Sequence, residues 1–181
     1  AGFGNMKKMN IDFDKYGIGA NDLIEKAINY IDNQQIEYYK EQQKLKKNEL
    51  DWSNGIHYLY ARSFFLDQYP MPKQLDALKK IYIENIKKSA KDFPLQTQGM
   101  AALVLSRFNE KTAAQQVVKS IKERAVDSDE MGMYWKANQV GWFWYNTPIE
   151  TQAVLIEAFD EVLQDEKSVE SMKVWLLKNR Q

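Results

Sequence analysis

The chain has 181 residues, with 25 Lys and Arg against 25 Asp and Glu, one His and no Cys. Zero net charge removes the basic footprint that non-specific nucleic-acid binding and polybasic membrane attachment require, and no apolar run is long enough to span a bilayer. Without Cys there is no disulfide, thiolate nucleophile or Cys-based zinc site, and a single His disfavours His-rich metal sites, so no metal or other cofactor is expected. Only eight Gly and four Pro interrupt the chain, which argues for long helices, and 13% aromatic residues argue for a folded core. The length fits one compact domain. The opening Ala1-Gly2-Phe3-Gly4-Asn5-Met6 is neither a signal peptide nor a natural start, so the sequence reads as a piece of a longer protein.

Hydrophobic period and breakers predict seven helices and one hairpin. The first follows Asn21 and sets Leu23, Ala27, Ile28 and Ile31 on one face before a polar extension over 34–47. The second starts at Ser53, read as its N-cap, and carries Ile56, Leu59, Tyr60, Ala61, Phe64 and Phe65 around most of its circumference, as an interior helix would. The third has Pro72 in its first turn, then an inward face of Leu75, Leu78, Ile81, Tyr82 and Ile86 with lysines opposite.

The fourth follows Pro94 and runs through Met100-Ala101-Ala102-Leu103-Val104-Leu105 with no polar face, so it is expected to be buried. The fifth returns to a stripe of Ala114, Val117, Val118, Ile121 and Ala125. Two aromatic runs, Met133-Tyr134-Trp135 and Trp142-Phe143-Trp144-Tyr145, then predict a β-hairpin over about 131–146. Thr147-Pro148-Ile149-Glu150 combines an N-cap Thr, a Pro at N1 and a Glu at N3, the pattern of a capping box opening the sixth helix. The seventh turns Val169, Met172, Leu176 and Trp175 inward.

Amphipathic helices therefore alternate with nearly all-apolar ones. A residue repeat accompanies the alternation: Asn54-Gly55-Ile56, Gln98-Gly99-Met100 and Gln152-Ala153-Val154 align, with a small central residue each time. An open solenoid and an α/α toroid both use such a pattern; nearly all-apolar second helices favour the toroid, whose inner ring is enclosed on both sides. The expected fold is all-α, a partial α/α toroid over 1–181 with a short aromatic hairpin.

The chemical inventory is sparse. His57 has only Tyr60 and Ala61 within helical reach, and packing with one hydrogen bond accounts for it better than general-base work. Ser53 and Ser63 lack a nucleophile elbow. Glu150 and Glu157 stand two turns apart and could form a glycosidase-like pair, but Glu150 has a capping role and Glu157 could face solvent or pair with Arg62 or Arg107. Asp127, Asp129 and Glu130 read as a solvated loop. Trp135, Trp142 and Trp144 could stack on sugars, although a hairpin aromatic on both faces must use at least one face for packing.

The stretch Met131-Gly132-Met133-Tyr134-Trp135-Lys136, Gly141-Trp142-Phe143-Trp144-Tyr145 and Pro148-Ile149-Glu150-Thr151-Gln152-Ala153 resembles the thioester-domain region of bacterial alpha-2-macroglobulin-like proteins. The resemblance continues through Leu155 to Phe159 and Met172 to Leu177, and more weakly back to Leu59–Phe65 and 98–101. It implies an α/α toroid in a large secreted or envelope-associated bacterial protein, periplasmic or anchored at the outer membrane, that traps proteases, with residues 1–8 the tail of an earlier inner helix. The family's thioester motif is Cys-x-Glu-Gln, and no Cys here can carry that role.

The leading expectation is a structural and conformational module rather than an enzyme, whose partners are the other domains of its parent chain and the target proteases. A carbohydrate-active toroid of glycosidase or lyase type, using Glu157 and the tryptophans, and a helical-repeat docking scaffold are the alternatives.

Overall fold

The computed structural model describes residues 2–9, 11, 19–45, 51–138 and 147–179. The protein is mostly helical, at 76% helix. The described residues form α1 (Gly2–Lys8), α2 (Ala20–Lys44), α3 (Trp52–Ser63), α4 (Asp76–Ser89), α5 (Leu95–Arg107), α6 (Lys111–Glu123), β1 (Val126–Ser128), β2 (Gly132–Tyr134), α7 (Pro148–Ala158) and α8 (Glu166–Lys178). They divide into two compact units, Ala1–Asn85 and Ile86–Gln181.

In the N-terminal unit, α2 buries Ala20, Ile24, Ile28, Asp32 and Gln35, while the predicted Leu23 is 52% exposed. The true stripe is rotated by about one residue because Ile24 and Ile28 join Phe65, Phe64 and Tyr69 in one apolar cluster, and the next position inward, Asp32, meets Arg62. Helix α3 is capped by Asp51, whose carboxylate accepts from the Ser53 and Asn54 amides at 3.0 and 3.2 Å. Ser53 is thus in the first turn rather than the cap, and an ionised cap is further favoured by the helix dipole. A 3₁₀ turn, Lys73–Leu75, follows Pro72 and leads into α4. Leu75, Leu78, Tyr82 and Ile83 are buried there, whereas Ile81 is exposed.

The C-terminal unit takes in the last turn of α4 and everything after it. Helix α5 is buried at Gln98, Gly99 and all of 101–105, as its unbroken apolar run predicts, and packs on α6 and α7. Gly99 permits the approach of α7: a Cβ there would stand 2.9 Å from Val154 Cγ1 and 3.2 Å from Leu155 Cδ2. Helix α6 buries Ala114, Val118 and Ile121 as expected.

The hairpin seen among the described residues lies upstream of the expected one. Strand β1 pairs antiparallel with β2, Val126 opposite Tyr134 and Ser128 opposite Gly132, so among the described residues the Met133 segment pairs upstream. The predicted second strand, 142–145, is outside the described residues. Gly132 supplies the positive φ of 73° that the entry to β2 requires. Thr147 and Pro148 occupy the N-cap and N1 positions of α7, but the Thr147 side chain accepts no capping hydrogen bond, so the capping box is not formed. A π-helical turn, Phe159–Leu163, ends α7, and α8 is capped by Asp165, whose side chain accepts from Ser168 N. Val169, Met172 and Trp175 are buried, and α8 lies against β2.

Candidate functional site

Trp135 follows β2 directly and is only 2% exposed. Its Nε1–H donates to the Ile121 carbonyl at 2.8 Å, and its ring meets Phe159 edge-on at 5.9 Å. A buried indole N–H must find an acceptor, and this one anchors the residue after β2 to the end of α6. Trp135 is therefore a core residue and not a platform for sugars. Trp142 and Trp144 lie outside the described residues.

Glu157, the candidate acid, is held in an ion pair. Arg107, at the end of α5, places Nη2 2.6 Å from Glu157 and grips Glu161 through Nε and Nη2 at 2.8 and 2.7 Å. Burial opposes the charge on Arg107, but Glu161 and Glu157 outweigh it and raise the guanidinium above its ordinary value. Glu157 is thus engaged as a partner of Arg107, in a charge-assisted hydrogen bond that links α7 to the end of α5. Glu150 is exposed in the first turn of α7.

Asp127, expected in a solvated loop, belongs to β1 and accepts from Ser171 Oγ at 2.5 Å; the Lys178 ammonium donates to the Glu130 carbonyl. Among the described residues no group of three His, Cys, Asp or Glu could hold a metal ion.

A cleft of mixed lining lies in the N-terminal unit, between α2 and α3. About 500 Å³ in volume, it is lined by Gln34, Gln35 and Tyr38 from α2 and by Asn54, His57 and Tyr58 from α3, among others. His57 is exposed, with Nδ1 2.9 Å from the Ser53 carbonyl. A carbonyl can only accept, so Nδ1 carries the hydrogen of this bond. The one expected hydrogen bond is present, to the first turn of the ring's own helix, but the expected packing is not, because the side chain faces solvent.

Beneath two of the lining residues is a buried polar network that sequence reasoning missed. Tyr58 donates to Asp32 at 2.6 Å, Arg62 Nε stands 2.9 Å from the same oxygen, and Arg62 Nη2 donates to the Tyr69 carbonyl at 2.7 Å. Tyr82 donates to Gln35 at 3.0 Å. Burial, then the Asp32 carboxylate, push the Tyr58 hydroxyl far above its ordinary value, so it acts as a donor at any physiological pH. Arg62 is wholly buried, and its Nη1 has no partner among the described residues. The available signal was an Arg on an otherwise apolar helix together with an Asp on the inward stripe of α2.

The aligned Gln98 and Gln152 share a second task. Gln98 Nε2 donates to the Phe93 and Lys91 carbonyls at 2.7 and 3.2 Å, and Gln152 Nε2 to the Met133 and Met172 carbonyls at 2.8 and 3.3 Å. Each buried carboxamide ties main chain from neighbouring segments to an interior helix. The third aligned residue, Asn54, is exposed. No family model, curated protein or solved structure matches the chain.

Proposed function

We propose that this chain is a structural and conformational module, part of an α/α toroid, of a bacterial protease-trapping protein of the alpha-2-macroglobulin kind, located in the cell envelope or secreted. The sequence resemblance over 131–177 supports the family, and the alternation of one-sided and fully apolar helices supports the partial ring.

The observation that carries a scaffold reading over a catalytic one is the use of Arg107. It binds Glu157 of α7 and Glu161 of the π turn from the end of α5, so the best-placed carboxylate of the C-terminal unit joins helices. The paired Gln98 and Gln152 carboxamides use interior polar groups in the same way.

The test is incubation of the protein that carries this segment with a broad-specificity protease, followed by assay on a small chromogenic substrate and on a large protein substrate. Trapping predicts retained activity on the small substrate and loss on the large one; full activity on the large substrate overturns it. Small-angle scattering of the 181-residue chain tests the ring, which an extended, open curve would contradict.

A further inference from the structure

The zero net charge conceals a segregation within the C-terminal unit. Residues 86–124 contain eight Lys or Arg against three Asp or Glu, whereas residues 125–181 contain five against ten. The basic half forms a cleft of about 330 Å³ where the last turn of α4 and the following 3₁₀ turn meet α5 and α6. Lys87, Lys88 and Lys91 stand on one side and Gln116 and Ser120 of α6 on the other, over a partly exposed apolar floor of Ala113 and Val117.

No carboxylate lines this cleft. Glu110 reaches Lys87 at 3.2 Å, and Lys88 and Lys91 are the other two ammonium groups of the lining. A further cation adjoins it, because Arg124 donates to Oε1 of Gln98, a lining residue, at 2.5 Å. The C-terminal dipole of α4 accounts for Lys87 and Lys88. It accounts neither for Lys91, which lies beyond the helix, nor for the apolar floor.

We infer that this cleft binds an acidic peptide segment of a partner protein, one apolar side chain resting on Ala113 and Val117 and flanking carboxylates meeting Lys88 and Lys91. Charge complementarity selects the acidic partner. A peptide is favoured over a phosphate or lipid headgroup because the Gln116 carboxamide and Ser120 hydroxyl both donate and accept, as main-chain amides require, while a phosphate uses donors alone and leaves the apolar floor uncovered.

The experiment is fluorescence anisotropy of the labelled peptide Asp-Glu-Leu-Leu-Glu-Asp titrated with the 181-residue chain. Saturable binding is expected to weaken about fivefold or more between 50 and 300 mM NaCl, by screening of exposed charges. Lys88→Glu with Lys91→Glu should weaken it about tenfold or more, and exchanging both peptide leucines for serine should also weaken it severalfold. The charge-matched Lys136→Glu with Lys167→Glu pair should change it little, and circular dichroism should show all variants equally helical. Absence of saturable binding, or equal loss in the two double variants, overturns the inference. So does equal binding of the serine peptide with displacement by equimolar tripolyphosphate, which marks a simple anion patch. Lysine-dependent binding to phosphatidylglycerol vesicles without binding to the peptide also overturns it, in favour of a membrane surface.

Discussion

Replacing Asp32 by Ala removes the only carboxylate within ion-pair distance of Arg62 among the described residues, and Arg62 is wholly buried. The guanidinium would keep its bond to the Tyr69 carbonyl but lose its counter-charge, and Tyr58 would lose the acceptor of its 2.6 Å hydrogen bond. Breaking a buried pair by deleting one partner costs about 3–5 kcal/mol, and orphaning a buried hydroxyl adds about 1–3 kcal/mol. The two overlap because both use Asp32 Oδ1, so about 4–6 kcal/mol is expected, a large part of the total stability of an ordinary domain. Urea unfolding followed by circular dichroism measures the loss. The double variant Asp32→Leu with Arg62→Met should recover most of it, because paired apolar substitution removes the uncompensated charge. A single-variant loss below about 1 kcal/mol, or a double variant as unstable as the single, would refute the reasoning.

Gly132→Ala should destabilise by about 2–5 kcal/mol in the same assay: it imposes a positive φ on a side-chain-bearing residue and drives Cβ into the Ser171 carbonyl oxygen, main chain that cannot rotate aside. Arg107→Ala should cost about 1–3 kcal/mol, between an exposed and a buried ion pair, because Glu157 and Glu161 are half-buried; Glu157→Gln should cost less, since Glu161 keeps its two contacts. At Asp165 partial burial opposes the charge, but hydrogen bonds from Lys122 and Ser168 outweigh it and hold the carboxyl below its ordinary value. Its contribution is then present above the ordinary Asp range and lost as pH falls through the lowered value. Urea midpoints should therefore fall more steeply below about pH 4 in the wild type than in Asp165→Asn, and Asp165→Ala at neutral pH should lose about 0.5–2 kcal/mol as a missing N-cap.

Where hydrophobic pattern alone decides burial, the sequence was readable. The apolar run of α5 and the Val169, Met172 and Trp175 face of α8 lie inside as their spacing requires. Apolar pattern sets the stripe of α2 one position off because it counts only apolar residues, whereas Asp32 and Gln35 complete the inward face through partners on α3 and α4. Residue type alone points to Ser53 as the cap of α3, whereas Asp51, two residues earlier, has the better geometry and charge. Strand β1 is three residues long and carries Asp127, so it offered neither length nor alternation as a signal. For the candidate site, composition marked Trp135 and Glu157 as chemically capable residues. Their exposure and partners depend on tertiary contacts with Ile121, Phe159 and Arg107, which no local spacing encodes.

Hydrogen exchange over residues 147–178, in the protein that carries this segment, tests the conformational role directly. The proposed module predicts that protease cleavage elsewhere in the chain changes exchange across α7 and α8 together, because the Gln152 and Arg107 ties couple those helices to their neighbours. Unchanged exchange through this region, with cleavage complete, would contradict it.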